Sequence, residues 1–429
     1  MSSVRASGQT EGSSGGASGA TQSAAGLSLL TRRSAMVVFF AFAFTYLFTA
    51  MLRAITATLS PVLTHEFGLS AQELGLLAGG YFLGFAATQL PLGKWLDRHG
   101  PRNVMLAYLL VAIVGCLAFS MAGNFSQLLA ARVMCGVGLS AGLMAPLTGF
   151  RRWLTPIAQL RANSWMLMSG SLGMVASTLP VQWLMPVIGW RPLFWLLALG
   201  IGCAMAVIAW KVPRWEASRP DADAAPSSYA QVWKHPYFRK MAPLGFVSYG
   251  GMIAMQSLWA GPWMVRVAGY PPLEAATGLF IINVGMLCTF WTWGILNPWL
   301  AKRGLSTDRL IARGLPLSFL AMAAIIIAGP QAGALAWTAF CITSSVVSLA
   351  QPAVAMAFPP AVAGRALTAF NLALFSGVFV VQWGIGLAID GFMALGLAEV
   401  TSFRCAMAGF LACSVVAYGH FLAAKDNSH

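Results

Sequence analysis

Long uninterrupted apolar runs, the first at residues 35–60, constrain this chain more than any motif in it. A helix of ~20 apolar residues spans the hydrocarbon core of a bilayer, because in lipid each backbone N–H and C=O must find its partner within the segment. A barrel would need ~10-residue segments of alternating polarity, and these runs do not alternate. Reading apolar runs between polar or Pro/Gly breaks predicts twelve helices, near 35–60, 71–93, 103–123, 126–149, 160–183, 191–210, 241–265, 273–298, 309–329, 332–357, 363–388 and 400–424. Only 9% of residues are charged and 58% are hydrophobic, where soluble proteins carry about 25% charged residues. The expected fold class is an all-α integral membrane protein with twelve transmembrane helices.

Residues 1–34 are rich in Gly, Ser and Ala with few large apolar side chains, and are expected to form a disordered tail. The first apolar run starts late and is full length, so it reads as a span and not as a cleaved leader. Residues 211–240 are the single long polar stretch between spans, and they divide the chain into six helices over 35–210 and six over 241–424, with a short tail at 425–429. The net charge of +14 would point to nucleic acid in a soluble protein. Here 21 of the 26 basic residues fall on one side of the predicted spans, so the charge is a topology signal and no nucleic-acid partner is expected. Both termini are placed in the cytoplasm, with the chain in a bacterial inner membrane as a monomer. The seven cysteines show no metal-binding spacing, and neither a metal nor a cofactor is expected.

Between the second and third predicted spans, Gly93, Asp97, Arg98, Gly100 and Arg102 match G-x-x-x-D-R-x-G-x-R. On the fourth, Arg132, Gly136 and Gly138 form R-x-x-x-G-x-G, and Gly189-Trp190-Arg191 opens the sixth. With six-plus-six spans, these fragments resemble the major facilitator superfamily from about residue 30 to 424. The resemblance implies two pseudo-symmetric six-helix bundles that rock about a midplane site. It also implies that Asp97 meets the start of the eleventh span, around 364–367, and locks the cytoplasmic side. The corresponding loop of the second half, 294–304, keeps Lys302 and Arg303 but has no Asp. The fifth span lacks the G-P-x-x-G-G element of drug antiporters, which counts against multidrug efflux.

Charges inside a span are costly, by ~2.5 to 3.5 kcal/mol on insertion scales, and therefore point to function. Arg53 and Arg132 are the clear cases, each near enough to a helix end to snorkel. Arg132 is open to two readings, structural pairing or a part in the transport cycle. The stretch from Tyr46 through Arg53 to Pro61 resembles the first helix of organic-anion and sugar-phosphate members of the superfamily. A guanidinium there suits a carboxylate or phosphate. The arginine that phosphate exchangers carry on the seventh span is missing, which puts phosphate in doubt and leaves a carboxylate or amphipathic anion.

Further polar or aromatic residues on spans that line the cavity in this family are Gln89, Trp165, Gln256, Trp259, Asn283, Gln351, Asn371, Gln382 and Trp383. Each is equally readable as an interhelical hydrogen bond or as packing. No Asp or Glu falls in the middle of a predicted span, so a buried proton relay lacks its carboxylate, and the coupling ion stays open. The G-x-S-x-G at 138–142 lies inside a predicted span without a base, and a similar serine motif at 16–19 lies in the tail, so no enzyme is expected. The leading expectation is an importer or exchanger of an organic anion. The alternative is an exporter of amphipathic compounds, for which 21 Met and 16 Trp would supply an adaptable cavity.

Overall fold

A computed structural model describes residues 30–214 and 229–424. Most of the two expected tails and residues 215–228 of the expected linker lie outside the described residues. The first half contains α1 (Arg32–Phe67), α2 (Ala71–Ala87), α3 (Gln89–Ser120), α4 (Phe125–Leu139), α5 (Met144–Trp153), α6 (Pro156–Ala176), α7 (Leu179–Ile188) and α8 (Trp190–Lys211). The second contains α9 (Tyr229–Lys234), α10 (Pro236–Leu244), α11 (Gly250–Ala254), α12 (Ala260–Arg266), α13 (Pro272–Lys302), α14 (Thr307–Ala328), α15 (Ala334–Ser344), α16 (Ala350–Met356), α17 (Pro360–Ala394) and α18 (Glu399–Ala423). Nine stretches among the described residues are long and apolar enough to cross a membrane as they stand, and the pair α6–α7, bent by 44°, makes up to ten. The two other predicted spans are broken: the second ends early, and the seventh runs from α10 to α12 through π-helical turns at Gly245–Tyr249 and Met255–Trp259.

These breaks correct several predicted boundaries. The second span was expected to run to 93, but α2 stops at Ala87. The Thr88 hydroxyl there stands within hydrogen-bond distance of Phe85 O (2.9 Å) and Ser140 Oγ (2.7 Å), and Pro91 has no N–H to continue the ladder. The expected loop at 93–102 is helical on either side of Gly100, whose φ of 74° breaks the path. This left-handed conformation suits glycine. The fourth span, expected to be continuous over 126–149, turns between α4 and α5, where Ser140 donates to Val137 O and Pro146 follows. The tenth changes to a 3-10 turn at Ser345–Leu349, just before Pro352.

Glycines let the helices approach. On α2, a side chain at Gly84 would strike the backbone of Val133 on α4, while one at Gly75 would strike the backbone of Gln382 on α17. The same helix thus packs within its own half on one face and across to the other half on another. Charges fasten the ends. Glu66, at the end of α1, accepts from Trp190 Nε1 (2.7 Å) and Arg191 Nη1 (2.6 Å), which gives the Gly189-Trp190-Arg191 fragment its use. Arg266 pairs with Glu399 at 2.7 Å, and Asp308 takes Tyr237 Oη (2.8 Å) and Lys240 Nζ (2.7 Å). Among the described residues, every Asp and Glu thus stands at a helix end or in the short connection around Gly100.

Candidate functional site

Arg53 sits on α1 where the two halves meet. Met255–Trp259 and α12 of the second half pack along α1, and a side chain at Gly261 would touch the carbonyl of Ala57, one turn beyond Arg53. The guanidinium is partly buried and donates from Nη2 to Met174 Sδ at 3.1 Å. Sulfur is a weak acceptor, and Arg53 Nε is enclosed with no partner at all. Its charge acts on two buried phenols, Tyr46 of α1 and Tyr81 of α2, and on the partly buried Tyr249 of the second half. Among the described residues no carboxylate pairs with it.

Arg132 does not snorkel: it is fully buried, because Gly136 and Gly138, one and two turns further along α4, bring that helix against the backbones of Tyr81 and Ala112. Its guanidinium lies 5.2 Å from the Tyr81 ring and donates weakly from Nη2 to Arg53 O at 3.5 Å. Nε and Nη1 have no partner. The Tyr81 hydroxyl in turn donates to Thr49 O (3.0 Å), so α1, α2 and α4 converge around two cations and a phenol. Both arginines were legible as buried charges. The tyrosines were not, because each comes from a different element and an isolated Tyr in a span carries no signal of its own.

The other candidate residues separate into small groups. Gln256 Nε2 donates to Asn283 Oδ1 (3.0 Å), and Asn283 donates back to Leu279 O within α13. Gln382 is tied by Ser257 Oγ (2.9 Å) and by Trp259 Nε1, which donates to its backbone carbonyl at 3.1 Å. This pair lies in the seam against α2 at Gly75, where Trp259 is fully buried and faces no open space. Gln351 donates to Asn371, and Gln89 only to Phe85 O of its own turn. Trp383 stacks on Phe379 with centroids 5.9 Å apart. Trp165 stands apart from all of these, 57% exposed on α6. The side-chain amide oxygens of Gln89, Gln256 and Gln382 are buried without donors.

On α3, beyond the end of α2 and just before the break at Gly100, Asp97 lies in the field of Arg151 on α5 and Arg365 on α17. Gly93 faces Thr368 of α17 at van der Waals distance, and Arg102 Nη2 donates to Ala209 O near the end of α8. A cation there complements the negative end of the α8 dipole. Arg98 is exposed. Asp97 and the start of α17 are therefore neighbours, across the two halves. The side chain of Lys302 in the second-half loop lies outside the described residues, and Arg303 stacks over Trp299 at 3.8 Å.

Comparisons with known proteins agree with this architecture. A bacterial homologue of the human lysosomal transporter Spinster, in an inward-facing and unoccupied conformation, superposes with a TM-score of 0.72 at 17% identity, over 92% of this chain and 98% of that one. A D-xylose–proton symporter gives 0.73 at 14% identity, over 91% and 98%. Among sequence relatives, a probable L-galactonate transporter of Escherichia coli is 23% identical over 63% of this chain and 62% of its own length. A 4-hydroxybenzoate transporter of Pseudomonas aeruginosa is 26% identical over 36% and 35%, and a niacin transporter of Acinetobacter baylyi is 24% identical over 61% and 58%. The chain thus spans less than two thirds of the length of these curated relatives. The family model described as Major Facilitator Superfamily matches residues 38–382, and the chain belongs to that family of membrane-embedded secondary transporters, which are not enzymes.

Proposed function

We propose that this transporter carries a small organic anion, a carboxylate, as an importer or exchanger, and that Arg53 is the group that holds it. The observation that carries this reading is the partly buried Arg53 guanidinium, on α1 where the two halves meet, which among the described residues has no acidic partner and donates to a thioether. A charge in that position is costly unless a ligand neutralises it, and a guanidinium takes a carboxylate through two parallel hydrogen bonds. Relatives whose names specify galactonate, hydroxybenzoate and niacin support the same class. Residues 35–210 and 241–424 are the rocking units, with Asp97 as the lock on the cytoplasmic face of an inner membrane. The solute site lies around Arg53, where α1 packs against the second half.

Proteoliposomes containing the purified chain test this directly. Uptake of a labelled carboxylate should be competed by other carboxylates and not by hydrophobic cations. Arg53→Ala should abolish it, while Arg53→Lys, which keeps the charge but loses the planar fork, should raise KM by about tenfold, one charge-assisted hydrogen bond's worth. Wild-type KM in Arg53→Ala would remove the anchor from the proposal.

A further inference from the structure

Asp390, near the C-terminal end of α17, directs its carboxylate out of its own half and onto the start of α2. Oδ1 accepts from Ala71 N at 3.1 Å and Oδ2 from Gln72 N at 2.7 Å. The first amides of any helix lack partners within it. On α2 a capping box accounts for two others: Ser70 Oγ accepts from Glu73 N (3.2 Å), and the Glu73 carboxylate accepts from Ser70 N (3.0 Å). Leu74 N returns to Ser70 O at 3.0 Å. The amides of Ala71 and Gln72 are what remains, and the other half of the molecule supplies their acceptor. Among the described residues no basic side chain pairs with Asp390.

The surrounding seam is built to bring these groups together. Gly386, one turn before Asp390, leaves room for the Ala71 carbonyl, and Gly75, one turn into α2, leaves room for that of Gln382. Trp259 and Ser257 fix Gln382 from the second half's side. A negative charge at a helix start gains from the helix dipole as well as from two charge-assisted hydrogen bonds.

We propose that Asp390 is a gating residue of the transport cycle, a latch that holds α17 to α2 on this face and must let go when the face opens. It rests on the chain being an alternating-access transporter and not on the anion reading, so either can fail alone. Asp97 is its counterpart: there an acid of the first half approaches the start of α17, whereas here an acid of the second half caps the start of α2.

The test uses the full chain in lipid nanodiscs, in a background with the native cysteines replaced, with spin labels at His65 and Leu395, both exposed on the Asp390 face in opposite halves. A second pair, at Arg161 and Met356, monitors the other face. Electron–electron distance measurements should show one dominant short His65–Leu395 distance in the unmutated protein. Asp390→Ala should raise the ratio of long to short distances by about tenfold, the worth of one charge-assisted hydrogen bond. Asp390→Asn, which keeps the shape and one acceptor, should fall between and decides the matter if the Ala variant does not fold. Unchanged His65–Leu395 distributions in the folded variants would overturn the latch. So would an equal lengthening of the Arg161–Met356 distance, the mark of general loosening.

Discussion

Two arginines joined by a single backbone contact, Arg53 partly and Arg132 fully buried, differ in what surrounds them. Arg53 is only partly buried and its charge reaches a second-half phenol, Tyr249, whereas Arg132 is sealed within the first half against Tyr81. A sealed charge without an acid does not stabilise the fold, since its desolvation outweighs one weak carbonyl contact and a cation–π contact of about 1–2 kcal/mol. Arg132→Met keeps most of the volume and removes the charge. Thermal unfolding in detergent should show stability unchanged or raised by about 1 kcal/mol. Transport by the same variant should fall if the charge serves the cycle through Tyr81 and Arg53. A large loss of stability would instead make Arg132 a structural residue. The cost of burying charge made both arginines legible in the sequence, but that rule has no power to say which one is sealed inside a half. This needed the packing of α4, set by Gly136 and Gly138.

At the scale of elements, the order of the helices was legible because apolar run length is a direct consequence of bilayer thickness. The breaks inside spans were not. Pro91, Pro146, Pro180 and Pro352 lie beside interruptions, yet Pro61 and Pro316 sit inside unbroken α1 and α14. A nearby hydroxyl does not separate them, since Ser60 and Ser318 donate to backbone carbonyls beside Pro61 and Pro316 just as Thr88 and Ser140 do beside the breaks. The contact between Thr88 and Ser140 joins two elements and depends on a neighbouring helix. Gly136 gives the sharpest test at this scale, because a Cβ there would meet the Tyr81 backbone and not a yielding side-chain tip. Gly136→Ala should cost about 1–3 kcal/mol through overpacking. Gly419→Ala, at an exposed position of α18 with open space around it, should be neutral or gain about 0.5–1 kcal/mol from helix propensity. Paired melting curves for the two variants check the contrast. Equal melting temperatures would mean that α2 and α4 are not held by that contact.

At the scale of the whole molecule, two acids sit at opposite ends of the α2–α17 seam, and each reaches toward a helix start in the other half. The Asp97 end was legible from its motif, whose glycines and charges are spaced within ten residues. The Asp390 end was not, because its partners are backbone amides more than 300 residues away in the chain. If Asp97 stabilises closure of one face and Asp390 closure of the other, loss of either shifts the balance between the two states of the cycle, and turnover slows because one state becomes scarce. Asp97→Asn should therefore lower kcat several-fold while KM for the transported solute stays within about twofold, since Arg53 is untouched. The pairing has a sharper consequence. In the double variant Asp97→Asn, Asp390→Asn both closed states lose a similar stabilisation, so their ratio returns toward the original value. Exchange rates measured in proteoliposomes at matched protein density should be higher in the double variant than in the slower single variant. Independent structural roles would instead make the two losses multiply, as distant and unconnected sites do, and a double variant slower than both singles would rule out paired latches.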